Sequence, residues 1–136
     1  MHMRGNPSNM QNNPVYKNIN YEIIKDLSKK IDLAQNNGVC DIIIDPGFGF
    51  GKTIEHNYQI LNNLKLYKIL DKPILVGISR KSMIYKLLKT EPSKALNGTT
   101  VLNTIALING ANILRVHDVK EAKEVIKLYS FLKENV

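Results

Sequence analysis

Asp45, Ser79, Lys81, Ser82, Arg115 and His117 carry most of the chemistry this sequence can offer, and each comes at or just after the end of a short apolar run. Asp45 closes Asp41-Ile42-Ile43-Ile44-Asp45. Ser79, Lys81 and Ser82 come just after Pro73-Ile74-Leu75-Val76-Gly77, and Arg115 and His117 end the run that starts at Ala111. A fixed carboxylate can stabilise positive charge developing on a ring, and preorganised cations can hold an anion. Arg115 can lie flat against a π-face and still donate to an anion. Arg-Val-His places Arg115 and His117 on one side of a strand. Ser82 falls where a helix should begin, so free N–H groups would lie beside it.

Asp45 also opens a glycine loop, Asp45-Pro46-Gly47-Phe48-Gly49-Phe50-Gly51-Lys52-Thr53. The closing Gly-Lys-Thr invites a phosphate-binding reading, but that pattern needs a glycine where Pro46 stands. Proline has no N–H to offer a phosphate. The dinucleotide fingerprint fails too, because the glycines fall at Gly47, Gly49 and Gly51. A tight strand-to-helix turn accounts for the glycines. It leaves Phe48 and Phe50, read here as exposed aromatics beside a strand-end carboxylate. That combination suits a flat, nitrogen-rich heterocycle.

The elements that must position these residues alternate regularly. Ile19, Ile23, Ile24, Leu27 and Ile31 recur at helical spacing up to Ala34, and Asn37-Gly38 ends that helix. The run 41–45 reads as a fully buried parallel strand, and a helix is expected over Glu55 to Leu70. After the strand at 73–77, a helix opens near Ser79 and carries Ile84, Leu87 and Leu88. Leu96 to Asn109 is helical and stopped by Gly110, and a third strand covers 111–116. Asp118 with Glu121 reads as a capping box for a last helix that buries Ala122, Val125, Ile126, Tyr129 and Leu132. Asn12-Asn13-Pro14 closes an opening loop, and Met1-His2-Met3 reads as the tail of a further strand.

Strands alternating with helices imply a parallel sheet, either doubly wound or part of a (β/α)₈ barrel. Polar side chains at the carboxyl ends of successive strands favour the barrel, whose active sites are built there. A whole barrel takes about 250 residues, so 136 residues supply half of one.

Composition narrows the class. Apolar residues make up 43% and charged residues 23%, the range of an ordinary globular domain. No apolar run approaches the ~18 residues of a membrane span, and the opening residues are not a signal peptide. A lone Cys40 makes neither an intrachain disulfide nor a metal site, which suits a reducing, cytoplasmic compartment. The net charge of +7 is mostly lysine spread along the chain, with arginine only at Arg4, Arg80 and Arg115. That pattern belongs to solvated helix faces, and no nucleic-acid or membrane partner is expected.

Four segments together carry a family resemblance: Met1-His2-Met3-Arg4-Gly5-Asn6-Pro7, Asp45-Pro46-Gly47-Phe48-Gly49-Phe50-Gly51-Lys52, Gly77-Ile78-Ser79-Arg80-Lys81-Ser82 and Arg115-Val116-His117-Asp118-Val119. In order and spacing they resemble dihydropteroate synthase, over essentially the whole chain. Other pterin-binding barrels, such as methyltetrahydrofolate methyltransferases, match them much less well. The resemblance implies a transferase of folate biosynthesis on a (β/α)₈ barrel. It joins p-aminobenzoate to 6-hydroxymethyl-7,8-dihydropterin pyrophosphate, giving 7,8-dihydropteroate and pyrophosphate. By resemblance Asp45, Lys81, Arg115 and His117 form the catalytic set. Asp45 lies deep in the pterin pocket, Lys81 reaches the pterin carbonyl, and Arg115 and His117 face the pterin and its pyrophosphate. Ser82, with Ser79 and Arg80 nearby, helps hold the p-aminobenzoate carboxylate. Phe50 lies against that ring, Met1 against the pterin, and Gly77 and Val116 complete the substrate-binding set. His2 and His56 are expected only at the surface or in packing.

The resemblance begins in the middle of the family. Residues 1–136 read as a partial pterin-binding domain, the carboxyl-terminal half of the barrel with four βα units and parallel strands. The first half, with the asparagine that holds Mg²⁺, has no counterpart here, so Mg²⁺ is implied as cofactor without a ligand in this chain. The later helices, which family dimers use, imply a homodimer. Two other readings stay open: a non-catalytic pterin-binding or dimerisation fragment, and a basic α/β nucleotide-binding module. An isolated half barrel exposes two strand edges and is expected to self-associate or be molten.

Overall fold

Helical spacing of apolar residues accounts for α1 (Ile19–Asn36), which buries Ile19, Ile23, Leu27 and Ile31 in the computed structural model of the chain. The structure describes residues 1–5 and 14–135. Asn6-Pro7 of the opening motif and Asn12-Asn13 of the expected loop lie outside them. The Asn18 side chain accepts from the Tyr21 N–H at 3.1 Å and starts α1, and Asn37 closes it.

The helix expected over 55–70 is two elements. α2 spans Ile54–Asn62, and a 3₁₀ turn of chain follows at Leu64–Leu70. The break falls at Asn63, whose side-chain amide donates to the Gln59 carbonyl at 2.8 Å. Such local bonding by asparagine competes with helix continuation. The change of helix type lets Leu64 and Tyr67 both reach the core.

The parallel sheet is confirmed, with shorter ladders than expected. β1 (Leu75–Val76) pairs β2 (Ile113–Leu114), Leu75 opposite Ile113 and Val76 opposite Leu114. Ile44 bridges Ile74 in the same parallel sense, and the His2 N–H reaches the Asp45 carbonyl at 2.9 Å. Side chains replace ladder bonds nearby: the Ile74 N–H goes to Asn112 Oδ1 at 2.9 Å. The expected burial of 41–45 on both faces is corrected. Ile44 packs beneath the helices, whereas Ile43 is 53% exposed on the opposite, inner face.

α3 is only Ser82–Tyr85, and it buries Met83 and Ile84. Leu87 and Leu88, expected on its buried face, are exposed. Lys89 adopts φ 53°, the Lys89 N–H bonds Lys86 O at 3.2 Å and the Thr90 N–H bonds Tyr85 O at 2.8 Å. This Schellman motif turns the chain away, with lysine where glycine is usual. After a 3₁₀ turn at Pro92–Lys94, α4 spans Leu96–Ile108. α5 spans Val119–Glu134 and buries Ala122 and Val125. Tyr129 is half-buried, while Ile126 and Leu132 are exposed, against expectation. Among the described residues no helix is long and apolar enough to cross a membrane. The element order, parallel register and one-sided helical cover are those of half a (β/α)₈ barrel.

Candidate active site

The inner face of the sheet brings Asp45, Gly77 and Arg115 together. Asp45 is buried; its Oδ1 accepts the Gly47 N–H at 2.7 Å and its Oδ2 faces Arg115 Nη2 at 3.3 Å. Arg115 crosses directly over Gly77, where an added Cβ would stand 2.8 Å from Nη2 and 2.9 Å from Nε. Glycine is required there so that the guanidinium can lie on the strand. The Arg115 side chain remains 57% exposed, so its ion pair is weak and its outer face is open.

The glycine loop is held by two lysines. Lys52, which would reach a phosphate in a nucleotide-binding loop, is 4% exposed. Its ammonium donates to Gly47 O at 2.8 Å and Phe50 O at 3.0 Å, and lies 3.0 Å from His2 Nδ1. Three neutral partners surround a buried cation, and burial pulls its pKa down to about 7, with Asp45 opposing. The nucleotide-binding alternative therefore loses its lysine. His2 is also buried, the packing role and not the surface one of the two expected, and burial followed by the Lys52 charge pulls its pKa down to about 4. Its carbonyl presses on Gly47, where φ is 76° and a Cβ would lie 1.8 Å from His2 O. Only glycine meets both conditions.

Lys81 approaches the same loop from the inner face. Its ammonium donates to Phe48 O and stands 4.7 Å from the Phe50 ring centroid. Burial lowers its pKa to about 8, with Asp45 raising it and Arg115 lowering it further. Phe48 is not an exposed aromatic: it is 1% exposed and belongs to the core. Phe50 is half-buried beside Lys81. Asn57 Oδ1 accepts the Gly49 N–H at 2.7 Å, and the Tyr16 hydroxyl donates to Gly51 O at 2.9 Å. His56 caps α2 through Thr53.

Beyond β1 and β2 the pairing continues through side chains at the same offset of 38 residues. The Ser79 hydroxyl accepts the His117 N–H at 3.2 Å and lies 3.0 Å from His117 Nδ1. Next to it, Arg80 Nε and Nη2 donate to Asp118 Oδ2 and Oδ1 at 2.9 and 2.8 Å. Arg80 Nη1 donates to the Pro92 and Ser93 carbonyls, and the Arg80 N–H, at φ 53°, bonds Thr99 Oγ1 at 3.0 Å. These bonds hold the Arg80 guanidinium in the framework and away from an anion. They also correct the capping box: Asp118 stands at the N-cap position of α5 without a side-chain cap bond. Its bond to Arg80 lowers its pKa, and the same bond raises that of Arg80.

Gly77, Ser79, Lys81, Arg115, Val116 and His117 line one small cleft of about 120 Å³. Met1 is exposed, its carbonyl accepting from Lys30 at 3.3 Å, and is not part of that lining. Ser82 begins α3 partly exposed, but Lys81 occupies the N-cap position. Among the described residues no group of three His, Cys, Asp or Glu side chains could hold a metal ion. The resemblance gives Mg²⁺ an asparagine ligand from the half of the barrel that this chain does not span, and Asp45, the carboxylate of this site, is already held by the Gly47 N–H and Arg115. Sequence reasoning missed Lys52, His2, Asn57 and the Arg80–Asp118 pair. The one available signal was the Gly-Lys-Thr at 51–53.

A family model for pterin binding enzymes matches residues 1–117. The chain is 42% identical over 130 residues to a dihydropteroate synthase of Escherichia coli, covering 94% of this chain and 46% of that protein. The crystal structure of Yersinia pestis dihydropteroate synthase with a sulfonamide drug complex superposes with a TM-score of 0.96 at 38% identity, over 99% of this chain and 50% of that one. The Thermus thermophilus enzyme in complex with 4-aminobenzoate gives 0.92 at 34% identity, over 97% and 55%. The chain spans about half the length of the curated relatives it matches.

Proposed function

Because the chain belongs to the pterin-binding enzyme family, we propose that it is the carboxyl-terminal half of a dihydropteroate synthase, a transferase of folate biosynthesis. The reaction joins p-aminobenzoate nitrogen to the exocyclic carbon of 6-hydroxymethyl-7,8-dihydropterin pyrophosphate and releases pyrophosphate. The observation that carries the reading is the convergence of Asp45, Arg115 and Lys81 around Gly77 and the glycine loop.

In this reading the free lone pairs of Asp45 accept from the amino-pyrimidine edge of the pterin. As pyrophosphate leaves, positive charge spreads over the ring, and a fixed carboxylate stabilises it more than the neutral ground state. Arg115 lies against the pterin face and, with His117, meets the departing anion. Lys81 leaves Phe48 O for the pterin carbonyl. Phe50 and Ser82 face p-aminobenzoate. Magnesium, when bound, would supply further charge to the pyrophosphate, and its ligands are not among these residues.

Residues 1–136 form one partial pterin-binding domain in this reading. The exposed Val101, Ile108, Phe131 and Leu132 on α4 and α5 support a homodimer through those helices. The free cysteine, Cys40, is consistent with a cytoplasmic setting. The test is to co-express the chain with the amino-terminal half of a dihydropteroate synthase and to assay dihydropteroate. Product should form, and Asp45→Asn should lower the rate constant about 10²-fold. An assembled protein that makes no dihydropteroate would reject the reading.

A further inference from the structure

The sequence suggested Ser79 as a direct contact to substrate, but its surroundings point elsewhere. The residue is 4% exposed. Its Oγ already accepts the His117 backbone N–H, and among the described residues its other hydrogen-bond neighbour is His117 Nδ1 at 3.0 Å. A buried hydroxyl places its hydrogen on an acceptor within reach. Nδ1 is that acceptor. An imidazole that accepts at Nδ1 carries its hydrogen on Nε2, at the far side of the ring.

We propose that Ser79 is a positioning residue for His117, whose hydroxyl fixes the Nε2–H tautomer and leaves that N–H as a donor to an anion in the cleft shared with Lys81 and Arg115. The proposal rests on the reading of this cleft as the place where pyrophosphate departs. Two bonds from one hydroxyl, to the backbone and to the ring of the same residue, hold both ends of the histidine. The neighbouring Arg80–Asp118 pair keeps the two loops from sliding past each other. Lys81 and Arg115 bring the positive charge to the cleft, so His117 need supply only direction. With Nδ1 taken by the Ser79 hydroxyl, the hydrogen that His117 offers the anion is the one on Nε2.

The test uses ¹⁵N NMR of the His117 ring in the chain assembled with the amino-terminal half of a dihydropteroate synthase, at mildly alkaline pH, with inorganic pyrophosphate as the titrant. Wild-type His117 should be protonated at Nε2 and bare at Nδ1. Ser79→Ala should mix the two tautomers and weaken pyrophosphate about fivefold, the worth of one lost hydrogen bond. Ser79→Thr, which keeps the hydroxyl, should restore both. Wild-type protonation at Nδ1, or a Ser79→Ala spectrum identical to wild type, overturns the proposal. If Ser79→Ala does not fold, the wild-type tautomer decides alone. If no form binds pyrophosphate while the tautomer follows the hydroxyl, the positioning role stands and the functional reading of the cleft falls.

Discussion

In the loop from Asp45 to Thr53, side chains serve the backbone; on the outward faces of α4 and α5, they face solvent unused. Gly47, Phe48, Phe50 and Gly51 carbonyls take donors from Lys52, Lys81 and Tyr16, and two glycine N–H groups go to Asp45 and Asn57. On the helices, Val101, Ile108, Leu128, Phe131 and Leu132 are exposed. The difference follows from backbone geometry. A helix satisfies its own N–H and C=O groups, so its side chains are free to be apolar and to wait for a cover. An irregular loop packed against the core cannot do so, and each buried carbonyl must find a donor. Polar identity is thus demanded at the rim and optional on the flank.

Substitution at Lys52 should break the comparison most severely. Lys52→Met leaves Gly47 O with only the Phe50 N–H and takes the lysine donor from Phe50 O, and one carbonyl without its partner costs about 1–3 kcal/mol. Denaturant titration should show that loss; an unchanged midpoint would mean that the loop holds itself. Acid should come next, through His2. Its folded pKa is about 4, against the ordinary histidine value of 6.5 in the unfolded chain. The stability contributed by neutral His2 is therefore present above 6.5 and lost as pH falls toward 4, on the order of 2 kcal/mol. Melting curves over that window should flatten in His2→Gln relative to wild type. Asp118→Asn should act more mildly, lowering the melting temperature by a few degrees, because the Arg80 pair is partly solvated. On the flank, Phe131→Ser and Leu132→Ser should leave monomer stability within about 0.5 kcal/mol of wild type. Sedimentation should show that they reduce self-association, and an unchanged sedimentation profile would remove these side chains from any interface.

What the sequence revealed divides along the same line. The buried face of α1 was legible because Ile19, Ile23, Leu27 and Ile31 report a period that only a helix explains. The approach of Asp45, Lys81 and Arg115 was legible because strand ends in a parallel sheet share one rim. Lys52 was not legible: with Pro46 excluding a phosphate loop, nothing local shows that the lysine holds the loop's own carbonyls. Asp118 reads as a cap because Glu121 is near in sequence, whereas Arg80, its partner in the structure, is distant in sequence and close in space. Phe48 and the far side of α5 were misread for one reason. Burial depends on what packs opposite, and local pattern does not report it.

The constant offset of 38 residues from Leu75–Ile113 through Ser79–His117 to Arg80–Asp118 bears on which changes of length the chain can absorb. A residue added ahead of Pro92 changes the path between the paired stretches without shifting their register, as long as the Pro92 and Ser93 carbonyls still meet Arg80. One added between Val76 and Ser79 would instead put Ser79 opposite the wrong neighbour and separate Arg80 from Asp118. Two rim segments far apart in the chain therefore behave as one ruler. A graft that moves this rim to another barrel must carry both segments, with their spacing from the strands intact.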